Sequence, residues 1–280
     1  MPEISVVVPT FSSEHFIKSC LDSIFAQDYN NFEVIVVDNG SRDNMVSIVK
    51  DKFPQVILIE NKENLGACKA RNQAIEFAKG NWLLTLDCDV VLENNFLAEI
   101  AKAIKNLPSD IGMIQPKILK SDRKTIYSCG IYLSKLRRFY DVGKGSPDKG
   151  RFDKAGDIFG ACSASALYRK QMFEELKDEN GYFDERLFFL VEDVDLAWRA
   201  QKKGWNAIYY PEAVCYHSGN SSSTDRPRRQ YLCWRNRKLM LKKYRINRFK
   251  LAIISLFYDY PHLIFLFLTN SYVRNEIKQV

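Results

Sequence analysis

The chain has 280 residues, 46% of them hydrophobic and 27% charged, with a net charge of +7. That is enough apolar material for one sizeable core, with or without an appendage, and it excludes a disordered chain. The seven cysteines are odd in number, lack Cys-x-x-Cys spacing and sit mostly in apolar contexts, which excludes a disulfide scaffold and a cysteine zinc site.

In chain order, the first 115 residues alternate short β-branched apolar runs with longer amphipathic stretches, the pattern of βαβ units and a parallel sheet. Strands are expected at 4–8, 33–38, 56–60, 82–87 and 111–115, with helices at 14–27, 42–52, 67–79 and 94–107. The helices show three- and four-residue apolar spacing, as in Phe16, Cys20 and Ile24 or Leu97, Ile100 and Ile104. No charged and apolar targeting segment precedes Ile4-Ser5-Val6-Val7-Val8, so the catalytic part is expected to be cytoplasmic. Residues 117–160 break into short strand-like pieces around Gly130, Gly143, Gly145, Pro147, Gly150 and Gly156, which reads as an irregular, mobile, substrate-facing half. A helix is expected at 192–203, a strand at 206–210 and a long basic helix at 227–244.

Ligands of parallel α/β sheets gather at the carboxyl ends of strands, and four consecutive strands here end in polar groups. These are Pro9-Thr10, Asp38-Asn39-Gly40-Ser41, the run from Asn64 through Gly66 to Arg71, and Asp87-Cys88-Asp89. Paired carboxylates closing an apolar strand offer hard oxygen ligands to a divalent cation, which can in turn hold a diphosphate. No Gly-x-Gly-x-x-Gly or Gly-x-x-x-x-Gly-Lys occurs, so neither a dinucleotide fingerprint nor a P-loop is supported. Further on, Val191, Val194 and Trp198 share a helix face, and Asp195 can pair with Arg199 one turn later, which reads as structural.

These motifs, together with Phe183-Asp184-Glu185 and Glu192-Asp193-Val194-Asp195, resemble family 2 glycosyltransferases in order across roughly residues 4 to 240. The resemblance implies the A-type glycosyltransferase (GT-A) α/β fold, with a mixed, mostly parallel central sheet flanked by helices. It divides residues 1–225 into a nucleotide-sugar half, 1–116, and an acceptor half, 117–225, followed by a basic and apolar helical segment, 226–280. Pro9, Thr10, Asp38, Gly66, Arg71 and Asp87 would bind the nucleotide, although Asp38 also suits a turn and Arg71 a surface or capping role. Asp89 and His217 would hold Mn2+ or Mg2+, although a lone histidine is also a common structural residue. Asp193 would be the general base with Glu192 beside it, and the same aspartate also suits a helix cap. Trp198, Arg235 and Asn236 fall on the acceptor or membrane side, and Arg235-Asn236 resembles the Arg-Asn of non-processive, rhamnosyltransferase-like members.

The expected donor is a UDP-, dTDP- or GDP-linked sugar and the acceptor a glycan, lipid-linked at a bacterial cell surface. The processive Gln-x-x-Arg-Trp is replaced by Gln230-Tyr231-Leu232-Cys233-Trp234, which favours single-sugar addition. A polyprenyl-phosphate glycosyltransferase and a catalytically silent scaffold are the alternatives.

Residues 226–250 hold eleven Arg or Lys and no Asp or Glu; taking these from +7 leaves −4 for the rest. The run, including Arg245, Arg248 and Lys250, leads into the apolar 251–268, interrupted by Asp259, Pro261 and His262. A basic helix followed by an apolar one argues for an anionic membrane surface and against nucleic acid. The interruption favours peripheral association with the inner face of the plasma membrane over a span, and a protein-docking helix is the remaining reading.

Overall fold

The computed structural model describes residues 1–219, 224–244 and 246–278. Of the basic run, Arg245 and the side chains of Arg248 and Lys250 lie outside them. The strands are β1 (Ile4–Thr10), β2 (Phe32–Asp38), β3 (Ile57–Glu60), β4 (Trp82–Leu86), β5 (Val90–Leu92) and β6 (Ile111–Lys120), then β7 (Ile126–Ser128), β8 (Ile131–Leu133), β9 (Phe139–Asp141), β10 (Gly156–Ile158), β11 (Ser165–Arg169) and β12 (Asn206–His217). The helices are α1 (Glu14–Phe25), α2 (Met45–Lys52), α3 (Ala67–Phe77), α4 (Phe96–Lys105), α5 (Lys170–Leu176), α6 (Glu192–Lys202), α7 (Arg226–Lys243), α8 (Arg248–Ile254), α9 (Tyr260–Thr269) and α10 (Ser271–Lys278).

One sheet runs in the order β10-β12-β6-β11-β4-β1-β2-β3, with β5 on β12 and β7 on β6, while β8 and β9 form a separate hairpin. The first four strands to form it are parallel, and β11 enters antiparallel between β4 and β6. Alternation fixes which residue faces which helices. Val6, Val8, Val34, Val36, Leu84 and Leu86 pack with α1, α2 and α4, whereas Val7, Ile35, Val37 and Leu83 pack with α3, α5 and α6. Six of the seven cysteines are buried.

Three features depart from the sequence expectation. Strand β6 continues to Lys120 through Pro116, because its ladder with β11 covers only Met113 and Ile114 and a missing N–H at Pro116 interrupts nothing there. Strand β12 continues past Pro211 to His217, absorbing the interruption as a register shift between Tyr210 and Val214. The pair β11–α5 was not expected, since no Gly, Pro or Asn separates Ser165–Arg169 from Lys170–Leu176. The glycine-rich 117–160 region carries the short strands β7 to β10.

Helix α7 is locked to α6 by a buried charge cluster. Asp195 accepts from Arg199 at 3.0 Å, Lys243 at 3.2 Å and the Tyr244 hydroxyl at 2.7 Å, and Trp198 stacks on Tyr244 with centroids 4.4 Å apart. From Arg248 to Thr269 the chain stays helical through a π-helical turn, Ser255–Asp259. Leu251–Thr269 is long and apolar enough to cross a membrane, with a mean hydropathy of 1.7. Yet Asp259 is buried and pairs with Arg237 of α7 at 2.9 Å, so one side of this helix is docked on the protein. Its other side exposes Ile253, Phe257, Tyr260, Ile264 and Leu268 at helical spacing.

Removing one member of a buried ion cluster leaves its partners uncompensated. Asp195→Ala is therefore expected to cost about 3 kcal/mol, read as a lowered midpoint in urea denaturation. An unchanged midpoint would mean that α7 docks by packing alone.

Candidate active site

The carboxyl end of β4 turns through Asp87-Cys88-Asp89 into β5, and β5 pairs antiparallel with the far end of β12, setting His217 opposite Val90. His217 Nε2 thereby lies 3.1 Å from Asp89 Oδ1 and 3.9 Å from Asp87 Oδ2, with the Tyr127 ring edge-on at 4.2 Å. One ligand atom from each of Asp87, Asp89 and His217 falls within 4.8 Å of the others. Burial pushes the Asp87 carboxyl above its ordinary value despite Arg71 and His217, and the Asp89 charge adds to the effect. Two crowded carboxylates beside an imidazole form a donor set that fits a divalent cation.

Arg71, one turn into α3, is buried between the two acidic groups of the cleft. Its Nη2 donates to Asp87 at 2.8 Å and its Nη1 to Glu192 at 2.7 Å. Glu192 also accepts from Ser163 Oγ at 3.3 Å, and its second oxygen is buried with no hydrogen bond among the described residues. The next residue, Asp193, accepts from the backbone N–H of Ser163 and of Val194. Burial, followed by the charges of Glu192 and Asp141, raises its carboxyl from 3.8 to about 7. The residue that caps α6 is Val191, so Asp193 is not the cap.

Glu192 and Asp193 are delivered by a strained turn. Phe188, Leu190 and Val191 all have positive φ, 64°, 70° and 71°, conformations that cost about 1–3 kcal/mol each for non-glycine residues. The turn is held from α7: the two hydrogens of Asn236 Nδ2 are shared among the carbonyls of Leu187, Phe189 and Leu190, each 2.7–2.9 Å away, and Arg235 donates to those of Arg186 and Leu187. From the other side, the Cys68 N–H donates to Phe188 O at 3.2 Å. Gly66 permits this approach, because a Cβ there would lie 2.5 Å from the Phe188 ring.

These groups surround one cleft of about 810 Å3, lined by Pro9, Thr10, Arg71, Asp87, His217 and Asp193 among others. Asp38 is buried behind it, accepting from Ser41 N at 3.1 Å, and its neighbour Asn39 lines the cleft. Gly66 lines the cleft but is fitted to Phe188. Trp198 is buried between Tyr244 and Arg137 and does not reach the cleft. Arg235 and Asn236 hold the Leu187–Leu190 backbone. Sequence reasoning missed Ser163, Tyr127, Asp141 and Lys144, all lining the cleft; the only available signal was the cluster of glycines around the 117–160 strands.

The fold and this cleft, with one acidic pair at the strand ends and another at a helix start, define the A-type glycosyltransferase class. The family described as glycosyl transferase family 2 matches residues 5–177, and the chain belongs to it. Glycosyltransferase GlyA of Streptococcus pneumoniae is 26% identical over 200 residues, covering 69% of this chain and 29% of that protein. WfgD of Escherichia coli, a UDP-Glc:alpha-D-GlcNAc-diphosphoundecaprenol beta-1,3-glucosyltransferase, is 30% identical over 105 residues, 37% of this chain and 42% of that protein. The chain thus spans under half the length of these curated relatives. Among solved structures, the mannosyltransferase PcManGT of Pyrobaculum calidifontis with GDP-Man and Mn2+ superposes with a TM-score of 0.62 at 18% identity, covering 99% of this chain and 79% of that one. TarS of S. aureus gives 0.56 at 21%, covering 86% and 65%. At these identities the structures establish the fold.

Asn236→Ala would strip the Phe189 and Leu190 carbonyls of their side-chain donor and leave the Leu187 carbonyl to Arg235. It is expected to destabilise the protein by about 2–3 kcal/mol and to raise amide exchange in residues 187–191. Asn236→Asp should not rescue it, since a carboxylate cannot donate.

Proposed function

We propose that the chain is an inverting, metal-dependent glycosyltransferase that adds one sugar from a nucleotide-sugar to a hydroxyl of a lipid-linked glycan at a membrane surface. The observation that carries this reading is the facing of two acidic sites across one cleft: Asp87, Asp89 and His217 on one side, Asp193 with a carboxyl raised to about 7 on the other. The cleft volume falls within the range of small-molecule sites and suits a nucleotide-sugar.

In this mechanism the acceptor hydroxyl gives its proton to Asp193 as its oxygen attacks the anomeric carbon from the face opposite the nucleotide, inverting the configuration. Glu192, held by Arg71 and Ser163, keeps Asp193 basic by its charge. Asp87, Asp89 and His217 would hold Mn2+ or Mg2+, which supplies charge neutralisation to the departing diphosphate. Arg71 keeps Asp87 fixed. Pro9, Thr10 and Asn39 border the end of the cleft where the base would lie.

Support for the membrane setting comes from the exposed apolar stripe on α8 and α9, beside a segment that carries eleven basic residues. The docking of Asp259 on Arg237 favours a helix lying in the interface, at the cytoplasmic face of the plasma membrane. The diphosphoundecaprenol in the name of the E. coli relative supports a lipid-linked acceptor.

The test is nucleoside diphosphate release from UDP-, dTDP- and GDP-sugars with and without Mn2+. Release should require the metal and be lost in Asp89→Ala; silence across the panel, with no donor binding, would refute the reading.

The raised Asp193 also sets a pH dependence. Since the base must be ionised, kcat/KM should climb as pH rises through about 7 and level off above, and Glu192→Gln should move that limb to lower pH. Because the folded value exceeds the unfolded one, the Asp193 contribution to stability falls as pH rises from about 4 to about 7. Asp193→Asn should therefore lose transfer yet melt higher than wild type at pH 8, by a margin that vanishes near pH 4.

A further inference from the structure

A second cavity, of about 110 Å3, adjoins the catalytic cleft, with Phe139 and Cys233 forming a wall of both. Its other walls come from the loop before β9, from α7 and from the docked C-terminal helix: Arg138, Trp234, Arg237, Tyr258 and His262. The guanidinium carbons of Arg138 and Arg237 each lie 4.8 Å from the Tyr258 ring centroid, and the His262 ring stacks on the same tyrosine at 5.4 Å. Two cations drawn to one aromatic ring repel each other unless negative charge lies between or beside them.

The protein supplies only part of that charge. Arg237 is buried and pairs with one oxygen of Asp259, whose second oxygen is buried with no hydrogen bond among the described residues, and it also donates to the carbonyls of Leu136 and Arg137. Arg138 makes ring contacts with Tyr140 and Tyr258 and has no carboxylate partner among the described residues. The Trp234 indole N–H is buried with no hydrogen bond among the described residues, a state rare for a buried donor without a ligand. Burial, with Arg138 and Arg237 nearby, holds the His262 imidazole below its ordinary value, so at neutral pH it keeps one N–H to offer. An exposed guanidinium without a carboxylate partner among the described residues, an idle indole N–H and an imidazole line a space between the reacting cleft and the apolar stripe.

We propose that this cavity binds the phosphate of an amphipathic acceptor, whose glycan reaches toward Asp193 through the cleft and whose hydrocarbon lies along Phe257, Tyr260 and Ile264. The assignment rests on the lipid-linked acceptor proposed above, and two experiments separate the failure of one from the failure of the other.

The first needs no turnover. The protein has four tryptophans, and the Trp234 indole resonance in a 15N spectrum can be identified with Trp234→Phe. Dodecyl phosphate should shift it, dodecyl maltoside should not, and Arg138→Ala should suppress the shift. Equal shifts with both amphiphiles, or an undiminished shift in Arg138→Ala, would overturn the site. Inorganic phosphate acting as well as dodecyl phosphate would assign the cavity to a free anion and overturn the lipid-linked assignment.

The second compares transfer to one glycan carried on a lipid diphosphate and on a plain alkyl chain. Wild type should favour the diphosphate in KM by about tenfold, equivalent to ~1.4 kcal/mol, and Arg138→Ala should erase the preference. Equal KM values in wild type would overturn the subsite. A phosphate-specific indole shift with transfer to neither acceptor would overturn the acceptor reading while leaving the site in place.

Discussion

A single buried guanidinium sets the geometry of the active site. Arg71 reaches Asp87 at the end of β4 with one nitrogen and Glu192 at the start of α6 with another. Without a cation between them, these acidic groups would repel in a poorly hydrated setting. A planar fork with fixed donor directions holds both at once, which a flexible ammonium would not. The donor side and the acceptor side are therefore spaced by the width of one side chain. Asp193, the neighbour of Glu192, inherits its position from the same contact.

The strained turn from Leu187 to Val191 depends on that arrangement and also on α7. Three positive-φ non-glycine residues in a row of four persist only where their surroundings over-determine them. Here Asn236 occupies the carbonyls from outside and Gly66 lets Phe188 close from inside. The basic helix is thus a buttress of the catalytic turn on one side and the mount of the apolar C-terminal helix on the other. Its faces differ in exposure: Asn236 and Arg237 are buried, whereas Lys238 and Lys242 are exposed.

What was legible in the sequence follows from this division. Strands β1, β2 and β4 are buried on both faces, so they read as uninterrupted apolar runs, and their acidic and polar ends stood out by contrast. The pairing of Asp195 with Arg199 was legible because it is local, one helical turn apart. Strand β11 was not, because an antiparallel strand running straight into a helix carries no punctuation. For Asp38 and Trp198, residue type and motif position do not tell which side of a backbone a side chain takes. Asp38 turns to the Ser41 N–H, and Trp198 turns to Tyr244. The role of Asn236 was invisible, since its partners are carbonyls 46–49 residues away in the chain.

Strand β12 acts as a ruler. From Ala207 to His217 its odd-numbered residues are buried in unbroken alternation, through Pro211 and the register shift, so that His217 at its far end points inward beside Asp89. Alternation makes the strand sensitive to parity. Gaining one residue between Tyr210 and Val214 would present Tyr216 where the histidine stands and losing one would present Ser218, whereas a change of two would keep the phase and move only the reach. Length variation along this stretch is thus constrained to even steps, a restriction imposed by pleat geometry before any demand of chemistry is considered.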